Sequence, residues 1–355
     1  MKILIIKFRN IGDVLLSTPL IENLKYHYPD AKIDFALNAG CQDMISFNPD
    51  IRNIFIYDRN RIKQKHLIER VKDEIEYVNN IISNKYDLVI NLTEGDRGAI
   101  IALLSKANKK LGFPARKGIL KYLNIYDIIG DDQKPIHTIE KDLQFIPLLG
   151  KENLHKRVSI YWGASEKEKI DDLLNKYSIE EFIHIHPVSR WMFKCWEDDR
   201  MAKVIDHLQK VKKMKVIITA APDAKELERV KKITTLCQAA PIDFSGKLTL
   251  KEMAYLSSKA KLFFGTDTAP MHIAAAVDTP VIALFGASHP VLWGPWDNEN
   301  DTINFKYING IQKSGIHSII SDTDHTIYYE NGIKKSQGMT NIKYKDVVDV
   351  FNDYV

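Results

Sequence analysis

Short apolar runs, each followed by a stretch of helical spacing, recur along the sequence in two separate series, and this alternation restricts the fold more than any other feature. Residues 3–6 (Ile3, Leu4, Ile5, Ile6) read as a strand buried on both faces. They lead through Phe8, Arg9, Asn10, Ile11 and Gly12 into an amphipathic segment over residues 13–28. Pro19 lacks a helical donor and crowds the turn before it, so a kink or a restart is expected after Thr18, and Pro29 ends the segment. Further strands are expected at 32–37, 53–57 and 87–91, with the longest helical pattern at 66–83 and a closing helix at 135–149. The second series begins near Phe182, with strands at 182–186, 215–219, 262–265 and 280–285 and helices at 197–211, 223–236, 250–258 and 269–277. Strands alternating with helices specify a parallel sheet covered on both faces. The sequence therefore predicts an α/β protein of two doubly wound, Rossmann-like domains facing across a cleft, with ligands at the carboxyl ends of the strands.

A chain of 355 residues suits two domains of about 150–200 residues. The first is expected at 1–155 and the second at 156–340, with the polar stretch at 152–156 opening the linker. Residues 297–340 are polar and irregular and read as loops with short strands, among which Tyr328, Tyr329, Glu330, Asn331 and Gly332 resemble a hairpin turn. Helical spacing returns at 342–354, and a C-terminal helix within 341–355 is expected to pack back on the N-terminal domain. A net charge of +4 suits an anionic substrate or a membrane face and is too small to argue for nucleic acid. Cys41, Cys195 and Cys237 lie far apart with no CxxC pair, which suggests neither a disulfide framework nor a zinc site and fits a reducing compartment. Lys7 and Arg9 interrupt the first apolar run too early for a signal peptide, and no run approaches the ~20 apolar residues of a membrane span. A cytoplasmic location is expected.

Function is then to be sought in the loops that leave the strands. Gly265, Thr266, Asp267, Thr268, Ala269, Pro270, Met271 and His272 follow an apolar strand and open an alanine-rich helix. A helix N-terminus offers free N–H groups and about half a positive charge, so a diphosphate could sit there without a lysine-bearing phosphate loop. Thr268 and Ala269 are small enough to let it approach, although Asp267 or Thr268 could equally serve as a plain cap with Pro270 in the first turn. The stretch from His186 through Ser189, Arg190, Trp191 and Lys194 to Trp196 combines hydroxyl, guanidinium and ammonium donors with aromatics. An anionic ligand with a flat ring requires that mixture, and buried tryptophans beside a solvated lysine would look the same. Asp13, at the first strand–helix junction, is either a helix cap or a carboxylate that can take a proton from an acceptor hydroxyl.

In this order and spacing the segments resemble those of the ADP-heptose:lipopolysaccharide heptosyltransferases, glycosyltransferase family 9, and within it the branch that adds a side heptose to the inner core. The likeness covers most of residues 1–296. It implies a GT-B fold, with Asp13 as the base and Lys194 holding the donor's phosphates. Thr268, Ala269, Pro270 and Met271 would lie under the diphosphate, Ser189 and Arg190 beside it, Asp267 near the sugar, and His272 behind the loop. Asp223 or Glu226 falls where the family places an acid on the ribose, and residues 243–250 where adenine is contacted. The match ends after Trp296.

What the resemblance implies chemically is inverting transfer of a heptose from ADP-L-glycero-D-manno-heptose to the lipopolysaccharide inner core, with no cofactor. A lysine and a helix terminus can hold the leaving diphosphate in place of a cation, so no metal is expected. The acceptor is anionic and lipid-linked, which directs attention to Arg59, Arg61, Lys63 and Lys65, and to Arg97, Arg116, Lys117 and Lys121, as groups that could meet it. The inner-membrane surface is an expected partner, contacted peripherally. Two alternatives are a GT-B transferase with another nucleotide-sugar donor and a non-catalytic nucleotide-sugar-binding protein. A nicotinamide-dependent oxidoreductase fits poorly, because the first strand–helix loop has only Gly12 where the dinucleotide fingerprint needs three glycines.

Overall fold

The computed structural model describes residues 1–113, 126, 135–306 and 308–355. Two compact units emerge, Met1–Lys134 with Thr138–Tyr161, and Pro135–His137 with Trp162–Val355. All element counts below refer to the described residues.

The first unit is built on a parallel sheet of β1 (Lys2–Lys7), β2 (Lys32–Asn38), β3 (Ile51–Tyr57), β4 (Leu88–Asn91) and β5 (Lys109–Gly112), in the order β3-β2-β1-β4-β5. Its central strand β1 carries the continuous apolar run, and Ile3, Leu4, Ile5 and Ile6 are fully buried, as parallel strands flanked on both sides must be. The segment after β1 breaks where proline demands it. Helix α1 (Ile11–Leu15) stops, and α2 (Thr18–His27) restarts with Pro19 in its first turn. Ser17 Oγ donates to Val14 O at 2.7 Å and Thr18 Oγ1 to Leu15 O at 2.9 Å, satisfying carbonyls that the break releases. Helices α3 (Arg59–Lys63), α4 (Leu67–Ile82) and α5 (Asp96–Leu104) follow, and the expected long closing helix is the short α6 (Thr138–Leu143) with a separate 3₁₀ turn at Pro147–Leu149.

The second unit opens with α7 (Ala164–Lys176). Strands β6 (Phe182–His186), β7 (Lys215–Ile218), β8 (Ile242–Asp243), β9 (Leu262–Thr266) and β10 (Val281–Phe285) alternate with α8 (Asp198–Lys210), α9 (Ala224–Leu236), α10 (Leu250–Lys259), α11 (Ala269–Ala276) and α12 (Pro290–Trp293). The polar region after Trp296 is more ordered than its composition suggests. It supplies β11 (Gly310–Ser314) and β12 (His317–Ser321), extending the sheet to β11-β12-β10-β9-β6-β7-β8, and every strand pair is parallel except β11 with β12. A hairpin of β13 (Ile327–Glu330) and β14 (Ile333–Ser336) turns through Asn331 (φ 51°) and Gly332 (φ 77°), the left-handed pair of a type I′ turn.

Two short helices, α13 (Gln337–Asn341) and α14 (Tyr344–Phe351), end the chain. The expectation that the C-terminal helix returns to the N-terminal domain is corrected here. Val347, Val350 and Phe351 join the core formed by Ile183, Ile185, Val204 and Phe264, and the Phe351 ring meets Phe264 edge-on at 5.2 Å. The physical reason is local: α14 follows α13 within the same unit, and its apolar face packs against α8 and β12, with Phe351 reaching Phe264 of β9. No helix among the described residues is long and apolar enough to cross a membrane.

Candidate functional site

In the second unit the register of β6 and β9 sets His186 against Gly265, so the two motif-bearing loops leave neighbouring strand ends. Gly265 is required there, because a Cβ would lie 2.7 Å from His186 O. After β9 the chain turns through Asp267 and Thr268 into α11, with Ala269 first and Pro270 second in the helix. Thr268 Oγ1 donates to Thr266 O at 3.3 Å instead of capping the helix. Met271 N–H is spent on Thr268 O at 3.1 Å and Pro270 has none, so Thr268 and Ala269 provide the N–H groups at the head of α11. The plain-cap reading of Thr268 is thus not realised, and Met271 contributes a fully buried side chain.

The β6 loop makes a 3₁₀ turn at Met192–Lys194 that aims Lys194 at this helix start. Lys194 Nζ lies 2.6 Å from Asp267 Oδ2 and 3.3 Å from Asp267 O, an ion pair with Asp267 almost wholly buried. Arg229, absent from the expected set, clamps the turn from α9: it donates to Asp198 at 2.7 Å and to Trp196 O at 2.7 Å. Ser189 is buried and its Oγ accepts from Trp191 N at 3.1 Å. Trp191 is 53% exposed, with the Arg190 guanidinium 5.6 Å from its ring, whereas Trp196 is a core residue donating to Ile342 O. One tryptophan is therefore available to a ligand and the other is structural.

Beyond β7, Asp223 caps α9 through Oδ1, which accepts from Lys225 N and Glu226 N at 3.0 and 3.2 Å. Glu226 is buried, accepts from Ala221 N at 3.0 Å, and has its carboxyl pushed up by burial. Asp223 is the exposed acid of the two. Beneath the strand ends runs a buried chain of hydrogen bonds. His184 contacts Ser257 Oγ at 2.9 Å and Thr219 Oγ1 at 2.7 Å, and Thr219 Oγ1 also meets His186 at 2.9 Å. Burial lowers both histidines to about 3, so their rings are neutral. His272 is likewise buried, within α11.

In the first unit Asp13 occupies the third position of α1 and is nearly buried. Its Oδ2 accepts from Asn10 N at 3.2 Å and its Oδ1 lies 3.9 Å from Arg9 Nε, so it does serve as a cap. Behind it is a pair that sequence reading missed. Lys7, at the end of β1, reaches Asp142 of α6 at 2.6 and 2.9 Å with both side chains buried. Burial pushes the Asp142 carboxyl up, Lys7 pulls it back, and the charge of Asp13 pushes it up again, which places the two acids within electrostatic reach. No local pattern announces this pair, because its members are separated by 135 positions.

Of the proposed acceptor-side groups, Arg59, Arg61 and Lys63 stand exposed on α3, and Lys65 pairs with Asp73 at 2.7 Å. Arg97 is engaged within the unit: it donates to Tyr57 Oη at 2.6 Å and Glu74 at 3.2 Å and lies 3.6 Å over the Tyr57 ring. Arg116, Lys117 and Lys121 lie outside the described residues. An Asp-x-Asp spacing that sequence reading passed over, Asp322 and Asp324, forms turns: Asp322 accepts from Asp324 N and Asn341, and Asp324 from Thr326 N.

Residues 76–315 match the family model described as glycosyltransferase family 9 (heptosyltransferase). Lipopolysaccharide heptosyltransferase 3 of Escherichia coli K12 is 35% identical over 292 residues, covering 80% of this chain and 82% of that protein. Among solved structures, a glycosyl transferase family 9 protein from Veillonella parvula superposes with a TM-score of 0.81 at 19% identity, over 99% of this chain and 96% of that one. The heptosyltransferase WaaC of E. coli, solved with ADP, gives a TM-score of 0.75 at 17% identity over the whole of both chains. These likenesses fix the fold as GT-B.

Proposed function

Since the chain belongs to glycosyltransferase family 9, the heptosyltransferases, we propose that it transfers a heptose from ADP-L-glycero-D-manno-heptose to the lipopolysaccharide inner core with inversion, using Asp13 as general base. The observation that carries the reading is the Lys194–Asp267 contact at 2.6 Å, which holds an ammonium group at the head of α11. There it can bind the donor diphosphate together with the N–H groups of Thr268 and Ala269 and the Ser189 hydroxyl. Asp267, once the diphosphate takes over part of the ammonium's charge, faces the sugar with a free carboxylate oxygen. Arg190 and the exposed Trp191 ring offer a guanidinium and a flat face to the nucleotide, and Asp223 is the better placed of the two acids for the ribose because Glu226 is buried.

Transfer itself needs a base on the acceptor and charge stabilisation on the leaving group. Asp13 would take the proton of the attacking hydroxyl as its oxygen bonds the anomeric carbon and the bond to the diphosphate breaks. Lys194 and the amides would carry the charge that builds on ADP, so the reading calls for no metal. Arg59, Arg61 and Lys63 are the exposed cations offered to an anionic acceptor, and peripheral contact with the inner-membrane face of the cytoplasm would bring the lipid-linked acceptor within reach. Calorimetric titration with ADP and with UDP, followed by mass spectrometry of a heptose-acceptor oligosaccharide incubated with ADP-heptose, tests the proposal. Tighter binding of ADP and a product heavier by one heptose support it; preference for UDP or no product would overturn it.

A further inference from the structure

Helix α4 shows an apolar face that nothing among the described residues covers. Its C-terminal half is anchored: Ile81 is buried, Tyr77 and Val78 pack on the core of the first unit, and Arg97 holds Glu74. Its first nine residues carry the exposed aliphatics, Leu67 at 72%, Ile68 at 84%, Val71 at 50% and Ile75 at 56%. Positions 67, 68, 71 and 75 fall on one side of a helix, so these side chains form a single stripe. The neighbouring α5 exposes Ile100, Leu103 and Leu104 as well. Scattered exposed aliphatics are ordinary, whereas a continuous stripe on one helix marks a contact surface.

The charges around the stripe say what it contacts. Arg59, Arg61, Lys63, Arg70 and Lys72 are exposed on α3 and α4. They outnumber Asp58, Glu69 and Glu76, while Asp73 and Glu74 are already tied to Lys65 and Arg97. An aliphatic stripe bordered by Lys and Arg matches a layer of anionic headgroups over hydrocarbon, where such a helix lies flat with its apolar side submerged. A second copy of the chain fits worse, because a two-fold contact would press two copies of the same net-positive border together. The stripe also lies beyond the carboxyl end of β3, the edge of the parallel sheet from which β1 delivers Asp13.

We infer that α3 and the first half of α4 form the surface by which this protein docks on an anionic lipid bilayer, α4 lying in the headgroup plane. The inference rests on the peripheral-membrane reading above and names its site. The test is flotation of the full-length protein with vesicles of phosphatidylcholine alone and with phosphatidylglycerol added, which needs neither donor nor acceptor. Binding is expected only with phosphatidylglycerol and should weaken in high salt. The exposed-residue variant Leu67→Ser/Ile68→Ser/Val71→Ser should reduce partitioning tenfold or more with an unchanged melting temperature, and Arg70→Gln/Lys72→Gln severalfold. Wild-type protein that ignores both vesicles overturns the docking surface and the peripheral reading together. Wild-type binding that the triple variant keeps overturns this surface alone. Self-association in sedimentation velocity that the triple variant abolishes would make the stripe an interface between copies and also overturn the inference.

Discussion

The two units hold their candidate site residues in contrasting ways. In the second, Lys194 and Asp267 are braced against each other, Arg229 holds the turn that carries Lys194 through Asp198 and Trp196 O, and the His184–Thr219–His186 chain underpins the strand ends, all within charge-assisted or buried hydrogen bonds. In the first, Asp13 is held by one N–H at 3.2 Å and an arginine at 3.9 Å, and the strong interaction is one layer back, between Lys7 and Asp142. Groups that must present a fixed charge benefit from rigid bracing, because little side-chain freedom is left to lose when the ligand arrives. A group that must collect and release a proton is better left with few partners, since each hydrogen bond to the carboxylate would make it a weaker base.

The sharpest way to break this contrast is Asp13→Asn. It should lower transfer by two to four orders of magnitude while leaving ADP affinity in calorimetry within about twofold; an equal fall in both would make Asp13 a structural cap and end the distinction. Next, Asp142→Ala strands the Lys7 ammonium in the interior. A loss of about 3–5 kcal/mol is expected in urea unfolding of the first unit, and a loss under 1 kcal/mol would show that the pair is not the anchor described.

Lys194→Met should weaken ADP binding about 10- to 100-fold, as expected for a lost charged contact. Adding Asp267→Asn should recover part of that loss, because the single variant leaves a lone carboxylate beside the proposed diphosphate position; strictly additive losses would argue against coupling.

Acid should separate the units. His184 and His186 titrate near 3 when folded and near their ordinary 6.5 when unfolded, so between these values the unfolded chain binds more protons. Their contribution is complete above about 6.5 and is lost as pH falls toward 3, at up to about 1.4 kcal/mol per pH unit for each ring. His137 of the same unit is lowered to about 3 as well. Hydrogen exchange should therefore show the second unit's β6 and β9 losing protection before the first unit's β1 as pH drops below 6.5; simultaneous loss would refute the assignment. The smallest effect is expected from Gly332→Ala, which strains a left-handed residue by about 1 kcal/mol and should leave transfer unchanged.

Much of this was legible in the residues. The inner strands β1, β9 and β10 carry continuous apolar runs, and the break at Pro19 and the Asn331-Gly332 turn follow from backbone chemistry. Strand β12 was hidden because His317, Ser318 and Ser321 put polar side chains into a wholly buried strand. Short β5 and β8 lack the length for a pattern, and α14 shows an apolar face without saying which sheet it will cover. At the site, loop residues adjacent in sequence were readable, including Lys194 and Asp267 individually. Arg229 and the Lys7–Asp142 pair were not, since their importance arises only when folding brings distant positions together.

The closure of the second core by α14 makes residues 344–351 indispensable to that unit. A premature stop before Tyr344 would remove Val347, Val350 and Phe351 from this core and take away the ring that meets Phe264 edge-on. Such a product would retain every residue assigned to chemistry and yet be a substrate for cellular proteases, so a nonsense mutation there should be read as a null allele.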